Sequence, residues 1–222
     1  MEVLNLKKDF QYILFDLDGT LTDSAEGITK AVQYALKHFG IDVPDITDLN
    51  KFIGPPLKDS YKRYYGFDEE KAQEGLMKFR EYYEDKGLFQ NKVYDGIEEV
   101  LKTLKENGKT LIVATSKPEV HAKIILEHFG LAKYFDFIGG ADLEETRVKK
   151  GDVIKYALKE AGVDDFSKVI MIGDREHDII GGKENNLKTI GVLYGFGDVV
   201  ELTQARADYI AKEPKDILDI LL

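Results

Sequence analysis

The stretch that decides the fold is Tyr-Ile-Leu-Phe-Asp-Leu-Asp-Gly-Thr, residues 12–20. Its first four residues are apolar or aromatic without interruption, which predicts a strand buried in a parallel sheet. Two acids, Asp16 and Asp18, follow at once, and Gly19 lets the chain turn after them. Because ligands of open α/β sheets bind at the carboxyl ends of strands, these acids are candidates for attacking an electrophile or holding a cation. The alternative is that they only form a turn.

Beyond residue 88 the chain alternates short apolar runs with longer amphipathic stretches. This alternation is typical of βαβ units and predicts an α/β fold with a doubly wound, Rossmann-like parallel sheet. The predicted strands cover residues 110–115, 135–138, 169–172 and 189–192, and the predicted helices lie near 96–107, 119–129, 151–161 and 176–185.

Residues 22–88 interrupt the alternation, because their patterns predict one helix after another with no strand between them. Gly54-Pro55-Pro56 forces a loop inside this segment, since proline does not continue a helix. We therefore predict an all-helical cap, residues 22–88, inserted into a core made of residues 1–21 and 89–222. The predicted cap helices cover residues 24–39, 46–52, 57–65 and 68–86.

The composition excludes several classes of function. The chain has a net charge of −10, which argues against a nucleic-acid polymer or an anionic membrane as a partner. It has no cysteine, so disulfides and cysteine-bound metals are excluded. No apolar run approaches the roughly 18 residues of a membrane-spanning helix. We expect a soluble, cytoplasmic protein.

Two further polar clusters stand where predicted strands end or helices begin. Thr115 and Ser116 follow an apolar run and offer hydroxyl and backbone N–H groups to an oxyanion, unless they serve only as turn residues. Lys149 and Lys150 precede a predicted helix, where a cation opposes the helix dipole and so hints at another use. The alternative for both is a solvated surface lysine, which fits Lys149 better than Lys150.

A third cluster contains two more acids. Asp174 and Asp178 follow the apolar run 169–172 about one helical turn apart, so their carboxylates share a face. Acids in a first helical turn also stabilise the helix by themselves. Together with Asp16 and Asp18, however, they form an oxygen-rich set that suits a hard divalent cation, above all Mg²⁺.

These groups match the needs of phosphate monoester cleavage: a nucleophile, a metal, a lysine and donors around the phosphoryl oxygens. We expect Asp16 to attack phosphorus and form an aspartyl phosphate. We expect Asp18 to protonate the leaving alkoxide and later to deprotonate water.

Over essentially its whole length the chain resembles phosphatases of the haloacid dehalogenase superfamily that carry a helical cap after the first strand. The residues that carry the resemblance are Asp16–Asp23, Val113–Lys117, Lys150 and Gly173–Asp178. By that resemblance Asp16 is the nucleophile and a Mg²⁺ ligand, and Asp18 is the acid/base and a ligand through its backbone carbonyl. The same resemblance implies a Mg²⁺ ligand at Asp174 with Asp178 beside it, and a phosphoryl site made of Thr115, Ser116 (by its backbone N–H) and Lys150.

The loop Phe52–Leu57 and the string at 173–178 resemble the phosphoglycolate phosphatase and 5′-nucleotidase-like branches of the superfamily. The resemblance implies a small phosphorylated metabolite as substrate, phosphoglycolate or a nucleoside 5′-monophosphate, and a monomer or homodimer. Two alternatives are a phosphomutase of the same fold acting on a sugar phosphate and a phosphoacceptor signalling domain.

Several residues of the predicted cap are candidates for substrate contacts. Cations there can meet a second anionic group, and aromatic side chains can either stack on a base or form the core of the cap itself. The cations are Lys51, Lys58 and Arg63, and the aromatic residues are Phe52, Tyr61, Tyr64 and Tyr65.

Overall fold

The computed structural model describes residues 9–144 and 146–222, so the first eight residues of the predicted core lie outside the described part. The strands are β1 (Tyr12–Phe15), β2 (Thr22–Asp23), β3 (Lys92–Val93), β4 (Thr110–Pro118), β5 (Phe137–Ala141), β6 (Val169–Gly173), β7 (Lys188–Val192) and β8 (Tyr209–Ala211). Six of them form one parallel sheet in the order β5-β4-β1-β6-β7-β8. The predicted doubly wound α/β fold is confirmed.

Helices cover the sheet and form most of the predicted cap. They are α1 (Ala25–His38), α2 (Leu57–Tyr65), α3 (Glu69–Asp85), α4 (Ile97–Glu106), α5 (Glu119–His128), α6 (Lys150–Glu160), α7 (Glu176–Glu184), α8 (Val199–Gln204) and α9 (Asp216–Leu221). Short 3₁₀ turns at Ile46–Phe52 and Gly87–Phe89 complete the segment 22–88, which is called the cap below. None of the described helices combines the length and the apolar character needed to cross a membrane.

The first strand is buried on both faces, as its uninterrupted apolar sequence predicts. Ile13 and Phe15 belong to the larger core, which also receives apolar side chains of α4 and α5. Leu14 faces the opposite side and packs in a second core with Val153 and Leu158 of α6. This alternation places β1 in the middle of the sheet and fixes where its carboxyl end emerges.

Three details differ from the sequence predictions. The strand expected at 135–138 starts two residues later and continues to Ala141. The carboxyl-terminal elements β8, α8 and α9 were not predicted, because each has six residues or fewer and no long periodic pattern. The expectation of no strand within 22–88 was wrong, since β2 pairs antiparallel with β3 where the chain enters and leaves the cap. The division into core and cap stays a prediction.

Candidate active site

The predicted site residues meet at one edge of the sheet. Strand β1 pairs in parallel with β4 on one side and β6 on the other, so the three carboxyl ends lie side by side. Asp16 directly follows β1, Asp174 directly follows β6, and Thr115 lies within the last residues of β4. The strand order changes direction at β1, the place where open α/β sheets bind ligands.

Lys150 is buried between two acids. Its Nζ lies 2.8 Å from Oδ1 of Asp16 and 2.7 Å from Oδ1 of Asp178, and it also donates to the carbonyl oxygen of Ala114 at 3.2 Å. Burial lowers the pKa of Lys150, but the two carboxylates outweigh burial and raise it, so the ammonium stays charged. Lys149, the alternative from the sequence, is exposed. The geometry therefore favours Lys150.

Asp16, Asp174 and Asp178 form a buried acidic cluster in which each residue offers a carboxylate oxygen within 4.8 Å of the others. Burial raises the pKa of Asp174 well above its ordinary value, and repulsion from the other two acids adds to the shift. Burial likewise raises the pKa of Asp178 to about 6, against the attraction of Lys150. Lys150 thus offsets only part of the negative charge. The remaining charge and the all-oxygen donor set fit a hard divalent cation such as Mg²⁺.

Two loops close onto Asp174 and fix its carboxylate. The hydroxyl of Thr20 donates to Oδ1 at 3.3 Å, and the backbone N–H of Phe196 donates to Oδ2 at 2.8 Å. Gly19 has a φ of +82°, and a Cβ at this position would lie 2.2 Å from Oδ2 of Asp174. The approach of Phe196 was missed by sequence reasoning, because the contact is made by a backbone N–H, which leaves no pattern in the sequence.

Asp18 has a different set of partners. Its Oδ2 lies 3.0 Å from Nζ of Lys117, and that ammonium also donates to the hydroxyl of Tyr83 on α3 at 2.5 Å. Burial lowers the pKa of Lys117, but the contacts with Asp18 and Tyr83 raise it by more than burial lowers it. The net shift of the pKa is therefore upward. The side chain of Asp18 is thus held outside the acidic cluster. Sequence reasoning assigned no role to Lys117 or Tyr83, and the one available signal was the position of Lys117 directly after Ser116.

Thr115 and Ser116 both line the cleft in front of Asp16. Thr115 is buried, and its Oγ1 accepts a hydrogen bond of 3.2 Å from the backbone N–H of Lys117. Because a hydroxyl that accepts one hydrogen bond still has its own hydrogen to donate, Thr115 can turn that hydrogen towards the cleft. This geometry favours Thr115 as the side-chain donor, with Ser116 contributing its backbone N–H.

The cap closes over this site and leaves a cleft of about 890 Å³, a volume that includes its open mouth. The cap side of the cleft is mainly apolar, and Arg80 adds a cation to it. The loop Phe52–Leu57 lines the cleft as well. The apolar residues contributed by the cap helices and this loop include Ile28, Phe52, Leu57, Leu76 and Phe79.

The cap cations that the sequence offered for a second anion do not line the described cleft. Of the seven cap residues named as candidates from the sequence, the described lining of the cleft contains Phe52 alone. Tyr61 is fully buried and stacks on Phe67, which confirms that the aromatic residues mainly form the core of the cap. Lys51 lies over the ring of Tyr64 instead of facing the cleft.

The comparisons with known proteins agree with this arrangement. The sequence profile of a family described as haloacid dehalogenase-like hydrolases matches residues 13–192. A 5′-nucleotidase of Pseudomonas aeruginosa is 48% identical over 190 residues, which are 86% of each chain. The tyrosine-protein kinase PtkA of Mycobacterium tuberculosis is 38% identical over 91% of this chain and 66% of its own.

Solved structures show the same architecture. A crystal structure of a predicted phosphatase from Clostridium acetobutylicum superposes with a TM-score of 0.91 and 54% identity, covering 95% of this chain and 99% of the other. The names of these relatives differ in the substrate they imply, while the solved structure shares the fold.

Proposed function

Because this chain belongs to the haloacid dehalogenase-like hydrolase family, we propose that it hydrolyses a small phosphate monoester through an aspartyl phosphate formed on Asp16, with Mg²⁺ as its cofactor. Phosphatase activity is what the family match and the relatives support. The observation that carries the proposed mechanism is the contact of Asp16 with Lys150 at 2.8 Å, in the same buried cluster as Asp174 and Asp178.

In the proposed reaction the carboxylate of Asp16 attacks phosphorus, and the ester P–O bond breaks as the new bond forms. The leaving oxygen takes a proton from Asp18, which releases the alcohol and leaves a phosphorylated Asp16. A water molecule then attacks phosphorus and gives a proton back to Asp18. The bond to Asp16 breaks, inorganic phosphate leaves, and both acids return to their starting states.

Asp16, Asp174 and Asp178 with their side chains, and Asp18 with its backbone carbonyl, are the groups proposed to hold Mg²⁺. When bound, the cation supplies positive charge that reduces repulsion between a phosphate dianion and the acids. The buried cluster with its raised pKa values supports this assignment, because Lys150 alone does not offset the charge of three buried acids.

Thr115, Ser116 and Lys150 are the proposed phosphoryl-binding residues. Thr115 and Ser116 line the cleft at the edge of the sheet, and Nζ of Lys150 contacts Oδ1 of Asp16. Donors fixed in advance around the phosphoryl oxygens stabilise the charge that develops during transfer. Lys150 is already charged and held by two carboxylates, so no large rearrangement is needed when the phosphoryl group arrives.

The cleft favours a small metabolite over a polymer. It lies between the cap, which contributes Phe52, Leu76 and Phe79, and the sheet edge with Asp16, so a bound substrate has protein on both sides. The apolar wall suits the base of a nucleoside 5′-monophosphate, and the cation of Arg80 suits the carboxylate of phosphoglycolate, so both substrates remain in the proposal. Monomer or homodimer, and a cytoplasmic location, stay predictions.

Phosphate release from a panel of nucleoside monophosphates, phosphoglycolate and sugar phosphates, with Mg²⁺ or with EDTA, tests this function. We expect hydrolysis of at least one member with Mg²⁺ and none with EDTA. Asp16→Asn should lower kcat by roughly 10³-fold or more, because the nucleophile is lost. Full activity in EDTA would remove the metal from the proposal, and an active Asp16→Asn enzyme would remove the nucleophile.

The same panel separates hydrolysis from phosphoryl transfer to another acceptor. Product analysis that finds isomerised sugar phosphate, with little inorganic phosphate, would favour the phosphomutase. A stable phosphoprotein without turnover would favour a phosphoacceptor domain. Trapping of Asp16 with beryllium fluoride or aluminium fluoride, followed by structure determination, tests the covalent step by itself.

A further inference from the structure

Lys117 is a buried cation that the proposed reaction does not use. Its side chain is 5% exposed, and the side chain of its partner Asp18 is 11% exposed. Removing a lysine ammonium from water costs several kcal/mol unless it is paired and hydrogen-bonded. Lys117 meets this condition through Asp18 on one side and Tyr83 on the other.

The contacts of Lys117 distinguish the two oxygens of Asp18. Oδ2 accepts the ammonium of Lys117 at 3.0 Å, whereas Oδ1 is buried and has no hydrogen-bond partner among the described residues. An oxygen that accepts from an ammonium is a poor place for a proton, since the ammonium has only donors to offer. The transferable proton of Asp18 therefore belongs on Oδ1.

Tyr83 fixes the lysine from the cap side. Its hydroxyl accepts from Nζ at 2.5 Å, and its ring centroid lies 4.6 Å from the same nitrogen. The ring itself is held by stacking on Phe79 at 5.0 Å. On the core side, the backbone N–H of Lys117 donates a hydrogen bond to Oγ1 of Thr115. Lys117 is therefore held at its backbone as well as at its ammonium group.

We propose that Lys117, anchored by Tyr83, is a positioning residue that holds Asp18 with Oδ1 free to give its proton to the leaving oxygen. The inference rests on the proposed function, because it assumes that Asp18 is the general acid. As the proton leaves Oδ1, negative charge grows on a carboxylate that already contacts an ammonium, which stabilises that charge. Lys117 acts through Asp18 and needs no contact with substrate.

The dependence of rate on the leaving group tests this role. p-Nitrophenyl phosphate releases a stable phenolate that needs no proton, whereas an uncharged alkyl phosphate such as propyl phosphate releases an alkoxide that does. Lys117→Met should lower kcat/KM for the alkyl ester by roughly 10²-fold and for the aryl ester by about threefold or less, because only the alkyl ester depends on the general acid. Tyr83→Phe should show the same selectivity with a smaller loss.

Matched controls separate this effect from damage to the fold. Lys123→Met removes an exposed lysine of α5, and Tyr82→Phe removes the neighbouring hydroxyl of α3, which bonds Gln90 instead. Both should leave the two esters unaffected. In an Asp18→Asn background, Lys117→Met should cause no further loss with the alkyl ester, because the two residues act as one unit.

Each other outcome overturns the proposal. Equal losses for both esters would show a structural role of Lys117, and a loss confined to esters with an anionic leaving group would show direct substrate binding. An additive loss in the Asp18→Asn background would also contradict it. If Asp16→Asn is inactive while Lys117→Met shows no selectivity, this inference fails and the proposed function stands. If Asp16→Asn is active, the proposed function itself fails.

Discussion

Arg175 of the core donates a hydrogen bond of 2.5 Å from Nη1 to the backbone carbonyl of Ile53 in the cap. The other edge of the guanidinium is fixed by Glu201, which accepts from Nε at 2.8 Å. The next cap residue, Gly54, has a φ of +101°, and a Cβ there would lie 3.0 Å from Cγ of Arg175. The core and the cap loop therefore meet at a point where glycine lets the backbone approach the arginine.

We expect Arg175→Met to loosen the cap loop. A hydrogen bond from a charged group contributes about 1.5–3 kcal/mol, so its loss should lower kcat/KM by roughly tenfold and speed the amide exchange of Ile53, Gly54 and Leu57. Arg63→Met, which removes an exposed arginine of α2, is the matched control and should change neither. Hydrogen exchange of the loop that is equal in Arg175→Met and the unchanged protein would argue against a role in holding it.

A second prediction separates the two adjacent lysines. Lys150→Met leaves Asp16 and Asp178 without their buried cation, and breaking such a pair costs about 3–5 kcal/mol of the free energy of unfolding. Lys149→Met changes an exposed residue and should alter unfolding by about 0.5 kcal/mol or less. Urea unfolding of both variants with and without Mg²⁺ gives the comparison. Equal destabilisation by the two substitutions would contradict the assignment of Lys150.

Much of the site follows from short-range sequence patterns. Asp16, Thr115 and Asp174 stand at the ends of apolar runs, and parallel pairing brings strand ends to one edge whatever the loops between them do. The fold and the acidic cluster can therefore be predicted from the sequence alone. The choice between Lys149 and Lys150 was not readable, because a helix start shifted by one residue exchanges the buried and the exposed lysine.

Contacts between side chains that are far apart in the sequence have no sequence pattern that predicts them. Tyr83 and Lys117 are 34 positions apart, and the tyrosine lies in an amphipathic helix where an aromatic residue is expected to be part of the cap core. The approach of Phe196 to Asp174 depends on the path of a loop, which has no periodic pattern. Tyr83 meets Lys117 through the packing of the cap on the core, and Phe196 meets Asp174 through the path of a core loop, so only the structure shows these pairs.

The acidic cluster yields a prediction for the protein without metal. Burial and the two neighbouring acids disfavour a charge on Asp174, so Asp174→Asn, which carries no charge, should raise the melting temperature in EDTA. With Mg²⁺ the parent should have the higher melting temperature, because the variant has lost one metal ligand and the metal therefore stabilises it less. Thermal melts at pH 7.5 in EDTA and in a series of Mg²⁺ concentrations test both halves. Asp152→Asn, at an exposed position on α6, is the control. A variant less stable than the parent in EDTA would show that repulsion does not dominate the cluster.

Asp208 gives the prediction for pH. It accepts hydrogen bonds from the backbone N–H of Thr189 at 3.0 Å and from Lys188 at 2.6 Å, and Lys183 also bonds it. Burial raises the pKa of Asp208, but the hydrogen bonds from the two lysines outweigh burial and lower the pKa to about 2 from the ordinary 3.8. A depressed pKa means that the ionised group stabilises the fold above about pH 4 and that this contribution is lost as the pH falls from 4 towards 2.

Asp208→Asn should therefore lower the free energy of unfolding by about 1 kcal/mol at pH 7, a figure reduced for solvent screening of a partly exposed group. The difference between variant and parent should shrink as the pH approaches 3, because the parent begins to lose the same charge. Urea unfolding in EDTA at pH 7, 5 and 3 measures it, and Asp164→Asn, at an exposed position, should show no such trend. If the difference instead grows towards low pH, the neutral form of Asp208 must be the one that stabilises the fold. That result would contradict the ion pairs of Asp208 with Lys183 and Lys188.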